Sequence, residues 1–153
     1  KRFRTTDEEG FETDFQILIS EEYVYNITER IKQYSELDKV SNQEELDKLT
    51  SSITDRFGVM PEEVGNLIKT VKLRWIAEKL GVERLLMKDK VMKCYLPESK
   101  NAHYYQSEVF GRVLAHLQQN AKTVQLKETK KRLILIIQKI DSIDNAIEVL
   151  GSV

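Results

Sequence analysis

The stretch ERLLMKDKVMKCYL, Glu83 to Leu96, decides the fold class. Met92, Cys94 and Leu96 fall on one side of its second half. A strand does this because successive side chains point to opposite faces. Asp89-Lys90 is a polar pair between the two apolar runs, so a β-hairpin turning there is predicted, with Pro97 ending it. Further on, Val109, Phe110, Val113, Leu114 and Leu117 recur at helical spacing over about Ser107 to Gln119. TVQLKETKKRLILIIQ then reads as a second hairpin, turning near Thr129 to Lys131, and Ile143, Ala146, Ile147 and Leu150 mark a closing helix. A hairpin-plus-helix unit thus occurs twice, as a pattern of elements and not of residues. The predicted class is α+β: N-terminal helices, then two such units forming a mainly antiparallel sheet of four strands with helices packed on one face.

Upstream the chain is helical. Asn26 with Glu29 three positions on resembles a capping box, followed by a stripe of Ile27, Ile31, Tyr34 and Leu37. Ser41 with Glu44 repeats the signal, ahead of Leu46, Leu49, Ile53 and Phe57. Gly58 is the expected helix stop, and Pro61 is expected to open a third helix with Glu62 and Glu63 at its positive end. That helix carries Val64, Leu67, Ile68, Val71, Trp75, Ile76 and Leu80 before Gly81, an apolar face broad enough for the central helix. DFQILIS (Asp14 to Ser20) alternates like a short edge strand. Residues 1–13 are polar and unpatterned, so they are read as a linker or frayed arm, and 14–153 as a single domain. The chain does not begin with Met, and a fragment of a longer protein is expected.

Composition narrows the function. Lys plus Arg number 24 against 25 Asp plus Glu, so no overall basic field draws in nucleic acid or an anionic membrane. The longest apolar run, Leu133 to Ile137, is strand-sized and far from a membrane span. Cys94 is the single cysteine, which excludes an internal disulfide and a cysteine zinc cluster and suits a reducing cytosol. Its place between Met92 and Leu96 marks a core thiol. No phosphate-cradling glycine loop is present, and His103 and His116 have no partner at ligand spacing. Asp141 and Asp144 sit where a helix begins and are read as capping and dipole partners. No catalytic, cofactor or metal residue is assigned.

Two basic clusters remain, Lys69–Arg74 and Lys127–Arg132, with Tyr104 and Tyr105 as possible stacking rings. The first lies on the expected solvent side of a helix and the second crowds a hairpin turn. No strand interleaves aromatic and basic residues as a base-stacking platform does, so a solvated face is the better reading. A nucleic-acid-binding appendage would need both clusters on one face. The junction ITDRFGVMPEEV, Ile53 to Val64, is different: Asp55 points away from the buried stripe, Ser52 neighbours it one turn earlier, and Arg56 flanks the stripe by its stem.

YNITERIKQYSELD, followed by ELDKLTSSITDRFGVMPEEVGNLIKTVKLRWIAEKLGVERL, resembles the C-terminal domain of the bacterial transcription-repair coupling factors, the Mfd family. The likeness runs from about Tyr23 to Leu85 and is looser beyond. It carries an N-x-x-x-R-x-x-x-Y-x-x-L helix, a D-R-F-G-x-x-P junction and a helix ending in L-G. The resemblance implies a non-catalytic regulatory domain of an ATP-dependent DNA translocase that removes stalled RNA polymerase. Such a domain docks on the parent's N-terminal UvrB-like module and masks the surface that binds UvrA. Polymerase and DNA are then met through other parent domains, and no cofactor or membrane is involved. The junction's aspartate falls on Asp55. The family's glutamate one turn earlier is replaced by Ser52, and Glu44, Glu45 or Asp47 are the expected substitutes. SEEYV also departs from the family's usual Pro-Asp-Asp-Tyr-Ile.

Overall fold

The computed structural model describes residues 10–153. Helix α1 (Ile27–Lys39) begins as expected, with the Asn26 side chain accepting the Glu29 N–H at 3.0 Å. The second cap lies one residue later than predicted. Asn42 accepts the Glu45 N–H at 2.9 Å to start α2 (Gln43–Phe57), and Glu45, not Glu44, reaches back to the Ser41 N–H at 3.0 Å. Both pairs have workable spacing, and the geometry selects between them. Gly58 ends α2 at φ +93°, a conformation that costs other residues a Cβ clash. Pro61 stands at the cap position, and α3 (Glu62–Lys79) runs from it to Gly81, at φ +83°.

The stripe predicted for α1 is partly wrong. Gln33 and Leu37 are its buried residues, whereas Ile27 and Ile31 are 62% and 63% exposed. Local anchors set the rotation of the helix. Arg30 donates to the Val24 and Tyr25 carbonyls, the Tyr34 hydroxyl accepts the Ile19 N–H at 2.8 Å, and Asp38 faces Arg74 at 3.5 Å. Periodicity puts side chains on a common face but does not choose the neighbour that face meets.

The sheet has five strands in the order β1-β2-β3-β5-β4. β2 (Arg84–Lys88) and β3 (Val91–Glu98) form the first hairpin. Its turn is at Asp89-Lys90, both at positive φ, as a two-residue type I′ connection needs. β3 continues through Pro97, but the register shifts between Tyr95 and Glu98, because proline cannot donate to the ladder. A one-turn helix α4 (Ala102–Tyr105) precedes α5 (Glu108–Gln119), which Ser107 caps. The second hairpin, β4 (Val124–Glu128) and β5 (Arg132–Ile137), lays β5 antiparallel against β3, and α6 (Ile143–Gly151) closes the domain.

The fifth strand, β1 (Phe11–Thr13), pairs parallel to β2. It lies inside the stretch expected to be a loose arm, and Phe11 is buried. Three residues are too few to show an alternation, so only pairing reveals the strand. The remainder of that expected arm, residues 1–9, lies outside the described residues. Asp14 to Ser20, expected as a strand, is not one. Its alternating apolar residues are real, yet Phe15 packs on the sheet's core and Ile19 on the helices' core, so the segment is an extended link between layers.

The interior falls into two clusters. One joins α1, α2 and the first half of α3 through Leu37, Leu46, Ile53, Leu67 and Val71. The other joins the second half of α3 to α4, α5, α6 and one face of the sheet through Leu73, Ala77, Met92, Cys94, Leu135 and Ile137. α3 is therefore the central helix, as expected, with a core on each side. On the other sheet face, two cross-strand rows run Arg84–Tyr95–Ile134–Lys127 and Leu86–Lys93–Ile136–Gln125. Leu86, Val91, Tyr95, Ile134 and Ile136 belong to neither core. The described helices that reach the sheet pack on the first face alone.

Candidate functional site

The end of α2 is held by a small network. Arg56 donates to Glu29 of α1 at 2.9 Å, and its guanidinium lies 4.9 Å from the Phe57 ring centre. Phe57 in turn meets Tyr23 at 6.0 Å, and the Tyr23 hydroxyl donates to the Gly58 carbonyl at 2.6 Å. Burial against these groups raises the Tyr23 pKa. The sequence allotted Arg56 to the flank of the stripe, which is where its stem lies. Phe57 and Gly58 are structural, as expected.

Asp55 and Ser52 are both exposed on the opposite side of α2, one turn apart. Asp55 makes no ion pair among the described residues. Its neighbour Arg56 is committed to Glu29, so no adjacent cation neutralises it. The expected substitutes for the missing glutamate are at the wrong end of the helix. Glu44 pairs with Lys48, Glu45 holds Ser41, and Asp47 accepts from Gln43. Eight residues separate Asp47 from Asp55, about 12 Å along the axis. The nearer acids are Glu21, Glu22 and Glu62, all exposed.

The site also has an apolar component, of which the sequence pattern placed Ile27 and Ile31 on a buried stripe. Tyr25 is 84% exposed and Val59 90%, and with Ile27 and Ile31 they are the most exposed large apolar side chains described. The Tyr23–Gly58 bond brings their two segments together at the same end of the helical layer as Asp55. Acidic groups around uncovered aliphatic ones suit a protein surface of opposite charge.

Elsewhere the chemistry is structural. Cys94 is fully buried, and desolvation pushes its thiol up to about 12, so no thiolate forms near neutrality. Ser142, not Asp141, caps α6, while Asp144 sits in its first turn and binds Lys69 at 2.7 Å. No group of metal-ligating side chains occurs among the described residues. Tyr104 spends its hydroxyl on the Leu80 carbonyl and Tyr105 on that of Pro97. No described helix is long and apolar enough to cross a membrane.

The two basic clusters do not share a face. Arg74, expected in solvent, is 1% exposed and turned to Asp38, because α3 has a core on both sides and offers little free surface there. Lys127 instead points from β4 to the uncovered sheet face. On the same face Lys93 and Tyr95 lie two residues apart on β3. Charge is unevenly spread along the chain. Residues 84 to 139 hold twelve Lys or Arg against four Asp or Glu, and residues 21 to 63 hold eleven Asp or Glu against five Lys or Arg. Whole-chain balance conceals two opposite fields.

The family model described as TRCF domain matches residues 13–107. Similar curated proteins are transcription-repair-coupling factors. That of Rickettsia prowazekii (strain Madrid E) is 33% identical over 69 residues, 45% of this chain and 6% of the relative. That of Borreliella burgdorferi is 30% identical over 93 residues, 58% and 8%, and that of Escherichia coli (strain K12) 25% identical over 81 residues, 53% and 7%. The chain thus spans under a tenth of these relatives' lengths. A crystal structure of the C-terminal domain of a transcription-repair coupling factor superposes with a TM-score of 0.70 at 16% identity, covering 95% of this chain and 93% of that one. At that identity the likeness is one of fold.

Proposed function

The chain belongs to the TRCF domain family, and on that premise we propose that it is a non-catalytic regulatory domain of a transcription-repair coupling factor, restraining its parent by docking. The docking end is that of α2 and the start of α1. The contact is with the parent's UvrB-like module, and it masks the surface that UvrA takes when the restraint is released. The observation that carries this reading is Asp55, exposed and without an ion pair among the described residues, beside an Arg56 tied to Glu29; the uncovered Tyr25, Ile27, Ile31 and Val59 are the apolar counterpart in the same half.

The mechanism follows from tethering. A domain linked to its target sees it at about millimolar effective concentration, so a weak contact suffices in cis and a competing partner releases it. Charges at the rim set orientation and make the contact sensitive to salt. Ser52 supplies a hydroxyl where a second charge is usual, which keeps the restraint weak.

The test is a titration of this domain against the UvrB-like module of the same parent, with Asp55→Arg beside it. Binding in trans is expected, weakened by about tenfold in the variant if one charge pair of about 1.4 kcal/mol is lost. It should fall further as salt rises. Absence of binding near millimolar would end the docking reading, and binding that ignores the substitution would move the site off α2.

A further inference from the structure

The uncovered sheet face has no part in the docking just described, yet it is chemically the most distinctive surface of the second half. Its middle is apolar, with Ile134 buried among its neighbours and Ile136 half-buried on β5, and is flanked by the half-buried Tyr95 and Lys93 on β3 and by the exposed Lys127 on β4. Arg84 lies over the Tyr95 ring at 5.2 Å, a guanidinium stacked on an aromatic. Its charge is shared with Glu12, which holds it at 3.3 Å and Lys88 at 3.5 Å. Lys93 and Lys127 have no ion pair among the described residues. A solvated charge run needs no apolar floor, and an ordinary open sheet face alternates to polar residues. This face combines unpaired lysines with an aliphatic and aromatic centre.

We propose that this face binds single-stranded nucleic acid, the lysines on the phosphates and the Arg84–Tyr95 stack with Ile136 under the bases. Charge complementarity names the class of occupant, since the face carries Arg84, Lys93 and Lys127, with Glu12 as the carboxylate that pairs on it. A single strand suits a sheet face, because splayed bases lie on a sheet whereas a duplex offers only its backbone. A second copy meeting it face to face is not the occupant, because two like-charged faces repel. The exposed turn lysines Lys130 and Lys131 extend the field past the end of the sheet.

The experiment is fluorescence anisotropy of the whole chain with a labelled oligothymidine of about 15 nucleotides over a salt series. The variants are Lys93→Gln with Lys127→Gln, Lys127→Gln alone, and Tyr95→Ala, each checked by thermal melting. Saturable binding is expected. The double variant should weaken it by about tenfold and lower the log–log salt slope by about 1.4, two phosphate contacts on a single strand. Tyr95→Ala should weaken binding by fivefold or more with the slope unchanged. Lys127 is exposed, so its single variant keeps the test informative if the double variant does not fold. No binding at low salt, or variants that bind like the parent, would overturn the proposal. Equal affinity for a hairpin duplex would overturn the single-strand assignment, and equal competition by polyglutamate would show an acidic polypeptide site instead.

Discussion

Leu67 and Leu73 lie six residues apart on α3 and are equally buried, yet they serve different halves of the molecule. Leu67 packs with α1 and α2, and Leu73 packs with the sheet, α5 and α6. The halves differ in more than architecture. The helical half is acidic and leaves apolar residues uncovered at one end, while the sheet half is basic and has one face of half-buried side chains on which no described helix packs. A helix that buries residues all round acts as a shared wall, and the surfaces on its two sides are free to acquire opposite charge. For that reason a net charge of -1 is uninformative about partners here.

The largest test asks whether the shared wall makes the halves one cooperative unit. Leu67→Ala and Leu73→Ala should each lose about 2–5 kcal/mol, the cost of a buried leucine's transfer and cavity. Trp75, the one tryptophan, reports on α3 by fluorescence, and the fully buried Cys94 reports on the sheet by reacting with a thiol reagent only when it opens. Coincident urea transitions in both variants mean that α3 couples the layers. A Leu67→Ala protein that loses its fluorescence transition early while Cys94 stays protected would mean that the layers unfold separately.

A smaller effect separates the two glycine stops. Gly81→Ala combines positive φ with a Cβ placed 2.3 Å from the Tyr104 ring, whereas Gly58→Ala meets the same φ penalty with nothing within 4 Å. Alanine at Gly58 should cost about 1–3 kcal/mol, and at Gly81 about 3 kcal/mol or more, once crowding is added. Melting curves of the two variants check the order. Equal losses would mean that Tyr104 moves aside freely, despite its bond to the Leu80 carbonyl.

The smallest effect is on pH. Burial holds the His116 pKa below its ordinary value near 6.5, since desolvation disfavours the charged ring. As pH falls through 6.5 the unfolded chain takes up this proton before the folded one does. The stability involved is therefore full above 6.5 and is lost as pH falls from there toward the folded value. Urea midpoints between pH 7.5 and 5.5 should decline in the parent and decline less in His116→Gln. A parallel decline would place the titrating group elsewhere.

Much of this arrangement was legible in the order of residues. The Asp89-Lys90 turn, the Asn26 cap, the Gly58 and Gly81 stops and the breadth of α3 follow from local conformational preference, which acts within a few residues and leaves a readable pattern. The resemblance over Tyr23 to Leu85 located the junction and Asp55, and the family match includes that stretch. The errors have one origin. Ile27 and Ile31 have helical spacing but face solvent, Arg74 reads as a surface cation but is buried, and Phe11–Thr13 is a strand without a pattern.

What the sequence determined by itself is the set of elements, their ends and the side chains each would bury if it found a partner, because caps, turns and periodicity are short-range. Only the tertiary structure decided which partner each face found. Burial depends on the neighbour across a gap, and that neighbour is set by the packing of the whole chain. Thus α3 received a core on two sides, the start of α1 was left with its isoleucines bare, and the described helices that reach the sheet packed on one of its faces.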